Sequence, residues 1–331
     1  MNKFKYYFIL SITTLSLFSC SKSDDSVELT PPREYADQYP TDINDIEQYL
    51  KTYYVSVSAD LDATITKIPD GGTQKSIWDQ TEYELKFRTV NLHGIDYKVY
   101  YLVLNEGVGE SPTNTDAVLT AYKGEYLQQV TGTDATTTLT STAFEEVKFP
   151  QSFFNLYQLT ISGGVKAWPE IFPQFKTGTY SANADGSVSY QDFGAGVMFI
   201  PSGLAYYSQG QGVIPSYAPL VFSFKLYEIQ RLDSDADGIP NYLEDLNNDG
   251  YMYDFRSTIN YPVTPAVNAD DTDGDGIPNY LDIDDDGDGF GTKIEITGAD
   301  GVVIPFSSIP SCDGNTTDAA RIKKYFDKNC H

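Results

Sequence analysis

Between residues 63 and 230 apolar and polar positions follow one another in short runs, and the chain reads there as a series of strands. Ala63 to Ile68, Tyr97 to Leu104, Val118 to Tyr122, Glu145 to Phe149, Val197 to Ile200 and Leu220 to Ile229 are all rich in tyrosine or β-branched residues. The last run alternates as a half-buried strand must. Val221, Ser223, Lys225, Tyr227 and Ile229 fall on one face, and Leu220, Phe222, Phe224, Leu226 and Glu228 on the other. Two stretches carry a helical period instead. In Thr41 to Leu50, Thr41 stands as N-cap before acidic residues, and Ile43, Ile46, Tyr49 and Leu50 share a face. In Lys166 to Phe175, Trp168, Ile171, Phe172 and Phe175 lie on one side, with Pro169 at a tolerated early position. Residues 178 to 194 predict a hairpin turning at Asp185-Gly186. One helix among the antiparallel strands of residues 63 to 230, with the N-terminal helix before them, makes residues 41 to 230 an α+β domain.

The stretch from Gly194 to Ile229 has an order of its own: an apolar strand, Ile200-Pro201-Ser202, Leu204-Ala205-Tyr206, a Gly-rich flap, Ile214-Pro215, then Leu220 to Leu226. It resembles the end of an FKBP-type peptidyl-prolyl isomerase domain. Val165 to Glu170 is similar to that family's V-I-x-G-W-x-E turn into its single helix, and Val118 to Gly124 to its V-x-V-x-Y-x-G strand. The resemblance covers about residues 95 to 230 and implies a curved antiparallel sheet wrapped on a short helix. By motif, Trp168 would be the floor of a pocket walled by Tyr122, Val165, Ile214 and Phe222. The Tyr206 hydroxyl and the Val165 N–H would bind substrate carbonyls. Taken singly, Trp168 or Phe222 would more often be plain core; the matched order makes them a pocket.

Two departures bear on activity. Where the family has G-x-x-F-D-S-S, whose Phe and Asp line the pocket, residues 128 to 142 are threonine-rich, with Leu139 to Thr142 as the nearest match and no acid. Tyr207 stands where glycine is expected. A pocket with weak turnover is the resulting expectation, and a non-catalytic module that holds proline-containing peptides is its rival. No nucleophile, metal or acid–base pair is required for this reaction. Rotation about an X-Pro bond breaks amide resonance, at about 18–20 kcal/mol, and a dry aromatic site can favour the twisted amide over the better-solvated planar one.

Charge changes the picture after residue 230. The chain of 331 residues has a net charge of −25 and a pI of about 4.2, which argues against nucleic acid as a partner. Residues 231 to 295 hold 17 of the Asp and Glu against Arg231, Arg256 and Lys293. They are placed with a period. Asp233, Asp235, Asp237, Gly238, Ile239, Asn241 and Glu244 have calcium-loop spacing, with oxygen at positions 1, 3, 5, 7 through the backbone, 9 and 12. Asp271, Asp273, Asp275, Ile277, Asn279 and Asp282 repeat it, as do Asp284, Asp286, Asp288, Phe290, Thr292 and Glu295. A copy starting at Asp245 is incomplete, because Arg256 stands at position 12. The repeat resembles the thrombospondin type 3 calcium repeat, so an irregular calcium-loop stalk is expected to follow the α+β domain. Two carboxylates about 4 Å apart repel by roughly 1 kcal/mol in water and about 4 at an effective dielectric of 20, so a structural calcium is expected here. An acidic solvated linker is the plainer alternative, and a chain that is wholly a calcium spacer a further one.

Residues 1 to 19 read as a lipoprotein signal peptide: Lys3 and Lys5, an apolar core, then Leu17-Phe18-Ser19 before a lipid-modified Cys20. Residues 20 to 40 read as a tether, which places the protein at the outer membrane by a lipid anchor, and Ser21 to Asp25 resemble the charged signal that sends lipoproteins to the cell surface. Residues 296 to 331 form a C-terminal segment with a short helix over Asp318 to Phe326 and a Cys312–Cys330 disulfide. Its partners would be proline-containing exported polypeptides.

Overall fold

The computed structural model describes residues 31–330 apart from 134. The leader, Cys20 and most of the tether lie outside the described residues. No helix among the described residues is long and apolar enough to cross a membrane.

The strand pattern folds into one antiparallel sheet. Its strands are β3 (Glu84–Leu92), β4 (Ile95–Asn105), β5 (Ala117–Thr131), β6 (Thr137–Val147), β7 (Phe154–Asn155), β10 (Gly194–Ile200) and β11 (Leu220–Gln230). They run in the order β3-β4-β10-β11-β5-β6, with β7 paired to the start of β5. Two hairpins stand apart, β1 (Tyr53–Val57) with β2 (Ala63–Lys67) and β8 (Thr179–Ala182) with β9 (Val188–Gln191). The threonine-rich run is not a loop. It forms the outer strand β6 of a long hairpin with β5, a place where threonine is favoured and apolar alternation is not needed.

Alternation along the strands gives each face its own cluster. Leu220, Phe222, Phe224 and Leu226 of β11 join Tyr97, Val99, Tyr101, Met198 and Ile200 on the face covered by α2 (Leu156–Ile161) and α3 (Trp168–Ile171). Val221 joins Tyr100, Leu102, Val197 and Phe199 on the opposite face, beneath Ile46, Tyr49 and Leu50 of α1 (Tyr35–Thr52). The predicted helix over 166–175 is shorter than expected: α3 holds four residues and passes into a 3-10 turn, Phe172–Gln174.

Helix α1 begins six residues before the predicted cap. Thr41 lies inside it, and Pro40, which removes one intrahelical hydrogen bond, is spanned rather than avoided. Tertiary contacts of the first turns offset that cost. The Tyr39 hydroxyl accepts from Lys98 N–H at 2.9 Å, and Tyr35 stacks on both His93 and Tyr207 with centroids 3.6 and 4.1 Å apart.

Glu34 onward forms one unit, so the acidic residues are not a free stalk. Arg231 pairs with Asp116 and Glu110 at 2.5 and 2.9 Å, and Asn114 exchanges two hydrogen bonds with the Met252 backbone. The Arg88 guanidinium pairs with Glu170 of α3 at 2.9 Å and lies 3.4 Å from the Tyr251 ring. Tyr251 and Tyr253 donate to the Glu170 carbonyl and carboxylate at 2.8 and 3.1 Å. The C-terminal segment has only a 3-10 turn, Lys324–Phe326, where a helix over 318–326 was predicted. Cys312 and Cys330 are free thiols lying together; burial, then the hydrogen bond with Cys312, pushes Cys330 up to about 12.

Candidate functional site

Trp168 opens α3 because residues 162–167 turn the chain inward and Pro169 tolerates the first helical turn. Its indole sits at the centre of a ring cluster: Tyr122, Phe154, Phe172 and Phe222 lie 5.2 to 5.4 Å from it, each at 76 to 87°. Such edge-to-face packing is the favoured arrangement for aromatic quadrupoles. Val165 and Ile214 belong to the same apolar cluster, and Tyr206 packs against it. Five of the six residues predicted for the pocket are therefore buried neighbours in one cluster, and the sixth, Tyr206, is half-buried at its margin. Trp168 is 3% exposed, and its Nε1 has no hydrogen-bond partner among the described residues.

Two polar groups at this margin are unspent. Among the described residues, neither the Tyr206 hydroxyl nor the Val165 N–H has a hydrogen-bond partner. The turn and the loop that carry them are joined, because Ala167 N–H donates to the Leu204 carbonyl at 3.3 Å. Burial, and more weakly the Glu145 carboxylate, raises the Tyr206 phenol above its ordinary range, so the hydroxyl keeps its proton and can donate.

Phe144 and Glu145 of β6 reach the margin of the cluster. Phe144 bulges out of β6 opposite Gly124 and Glu125, and its ring meets Phe222 at 5.7 Å and 87°. Glu145 faces Gly124 in register, and its carboxylate raises the Tyr122 phenol after burial does. Gly124 is required for this approach: a Cβ there would run into the Phe144 ring and stand 2.8 Å from Phe222.

The flap over the cluster is fixed from below. Asp42 of α1, 1% exposed, accepts from Ser202 N–H at 2.7 Å, Ser202 Oγ at 2.6 Å and Gln38 Nε2 at 2.7 Å. Burial outweighs these three bonds and lifts Asp42 to about 6. Tyr207, in the glycine position, has φ of 46°, the left-handed region that suits glycine. Its ring is held by stacking on Tyr35 and by an edge contact with Tyr217 at 5.1 Å. At the flap tip Gln211 and Ile214 exchange backbone hydrogen bonds of 3.1 and 2.8 Å.

Two recesses lie elsewhere. A cavity of about 60 Å³ sits behind α3, between Leu92, Lys166, Glu170 and the tyrosines 253, 261 and 280. An open groove of about 650 Å³ runs between β5, β11 and the β1–β2 turn and meets the aromatic cluster only at Tyr122. The cluster is a closely packed surface site, not a deep cavity.

The acidic loops share one geometry. Gly238, Gly250, Gly276 and Gly289, all at positive φ, donate their N–H to Asp233, Asp245, Asp271 and Asp284 at 3.2, 2.8, 3.0 and 2.9 Å. Position 1 thus closes each loop, including the incomplete one at Asp245. Carboxylates gather at Asp233-Asp235-Asp237, Asp271-Asp273-Asp275 and Asp284-Asp286-Asp288. The position-9 side chains do something different from what their spacing predicts. Asn241 is spent on Ser234, accepting its N–H and donating to its Oγ; Asn279 does the same with Thr272, and Thr292 clamps Asp285. The position-12 residues also differ: Asp282 accepts from Asp284 N–H, while Glu244 and Glu295 leave both carboxylate oxygens buried without partners.

Residues 234–319 match the family described as BamM C-terminal. No curated protein matches the chain. Among solved structures, a peptidyl-prolyl cis-trans isomerase from Pseudomonas syringae pv. tomato is similar at 16% identity and a TM-score of 0.32, over 61% of this chain and all of that one. FkpA from Escherichia coli is similar at 19% identity and a TM-score of 0.29, over 59% of this chain. The chain spans 60% of the length of the FkpA chain.

Proposed function

We propose that this chain is an FKBP-like peptidyl-prolyl isomerase of the cell envelope, acting on proline-containing exported polypeptides. One observation carries the reading: two unspent donors, the Tyr206 hydroxyl and the Val165 N–H, stand beside a cluster of rings around Trp168. A prolyl ring laid against Trp168, Tyr122 and Phe222 would leave its flanking carbonyls for those donors. Holding the carbonyls while the rings exclude water favours the twisted amide, whose nitrogen has lost its conjugation, over the planar one. Each 1.36 kcal/mol of that preference is tenfold in rate.

The test is isomerisation of a short X-Pro peptide by the full chain, with and without an FKBP-site macrolide. A macrolide-sensitive rate above background supports the reading. Peptide binding with no added rate supports a second reading, a non-catalytic module. What favours that second reading is the near-complete burial of Trp168, together with a flap residue, Tyr207, pinned by ring stacking.

The acidic loops we assign to calcium. Their repeated closure and their oxygen-only clusters suit a hard cation. Placement at the outer membrane by lipid on Cys20 rests on the leader pattern, and the match of residues 234–319 to the BamM C-terminal family fits it.

A further inference from the structure

Asp285 has no place in the 12-residue calcium spacing, yet it is 1% exposed and faces another loop. Its carboxylate, that of Asp237 and that of Glu244 each offer an oxygen within 4.8 Å of the others, and all three residues are buried. Four of those oxygens are without hydrogen-bond partners among the described residues: Asp237 Oδ2, Glu244 Oε1 and Oε2, and Asp285 Oδ1. Glu244 itself is fully buried. The remaining oxygens are used within their own loops, Asp237 Oδ1 by Ile239 N–H and Asp285 Oδ2 by Thr292 Oγ1. Asp237 also belongs to the cluster with Asp233 and Asp235, where Asp235 Oδ2 is unpartnered too.

Three buried carboxylates from two loops are costly to leave charged and facing one another without a cation, and among the described residues no Lys or Arg pairs with them. The nearest ammonium contact, Lys293 Nζ, is spent on the Ala236 carbonyl at 2.8 Å. A third segment also reaches this place. Tyr325, fully buried with Ile239, Ile296 and Ile309, has an unpartnered hydroxyl, and the nearby charges of Asp285, Glu244 and Asp237 raise its phenol after burial does.

We propose that Asp285 completes a calcium site shared between loops, in which the loop of Asp233 to Glu244 and the loop of Asp284 to Glu295 hold one ion and so fasten the tail around Tyr325. This inference rests on the calcium assignment above but is separable from it. Asp285 is a cross-loop ligand, and Thr292 positions it. The site is chosen for calcium over magnesium because the donors are all oxygens and converge from separate segments, which suits the more flexible coordination of calcium.

The experiment is native mass spectrometry of the full chain with calcium, beside hydrogen exchange with and without the ion. The unmutated protein should lose one calcium in Asp285→Asn and in Glu244→Gln, while Asp273→Asn should remove a different one. Calcium should slow exchange together in residues 233–244, 284–295 and 320–328. No calcium bound by the unmutated protein at millimolar concentration would overturn the calcium assignment itself. Calcium bound with full stoichiometry in Asp285→Asn would overturn the shared site alone. Should neither variant fold, independent protection of the three segments in the unmutated protein would overturn it, and simultaneous protection would support it.

Discussion

Asp42→Asn offers a test in which the sign is fixed by the structure. Asp42 is buried under the flap, with its carboxyl at about 6 against an ordinary 3.8, and Asp45 on the same helix and Tyr97, Tyr39 and Tyr207 around it. A raised folded-state value means that the native protein binds a proton the unfolded chain has released. The stability this contributes is complete below about pH 4 and is lost as pH rises through about 6. The gap corresponds to about 3 kcal/mol. Asparagine keeps an acceptor for Ser202 and has no charge to bury, so the variant should not show this loss. Denaturant midpoints of both proteins from pH 4 to 8 at fixed calcium isolate the effect, because every other titrating group cancels in the difference. The native protein should lose about 3 kcal/mol relative to Asp42→Asn over that range. A difference that stays constant, or a native protein that gains with pH, would show that the three hydrogen bonds outweigh burial and would refute the reasoning.

Other outcomes follow from the same geometry. Gly124→Ala should displace the Phe144 ring, destabilise by about 1–3 kcal/mol and lower turnover, as read by denaturation and by the peptide assay. Tyr122→Phe, which keeps the ring against Trp168 and removes only the hydroxyl, should change stability by about 1 kcal/mol and leave isomerisation within a few-fold of the native rate. Chelation should raise protease sensitivity first between Leu232 and Ile296. The sequence suggests that the isomerase-like part would not respond, but Tyr251 and Tyr253 brace Glu170 on the helix of Trp168. A chelator should therefore also slow turnover, and an unchanged rate beside a digested loop segment would show that the brace is dispensable.

The parts of the site legible in the sequence were those whose signal is local. Period-two alternation in Leu220 to Ile229 assigned each side chain to its face, and a fixed motif order brought Trp168, Val165, Ile214 and Phe222 into one cluster. What escaped depends on distance in space. Phe144 and Glu145 reach the margin of the cluster only through the pairing of β6 with β5. The early start of α1 was masked by Pro40, whose cost is offset by contacts of Tyr35 and Tyr39 made far along the chain. Tyr207 looked like a lost glycine, yet the backbone still takes the left-handed conformation there, with Tyr35 holding the ring. In the loops, spacing located the closing aspartates. Asn241 and Asn279 brace their own loops, a use of the amide that spacing alone does not distinguish from ligation.

The central claim is tested most directly by the rate of cis-trans exchange in an X-Pro peptide with the full chain and with Tyr206→Phe. The account predicts acceleration by the native protein and a marked fall in the variant at unchanged stability, since one hydroxyl donor and almost no volume is lost. A native protein that binds the peptide without accelerating exchange, or a variant as fast as the native protein, would contradict it.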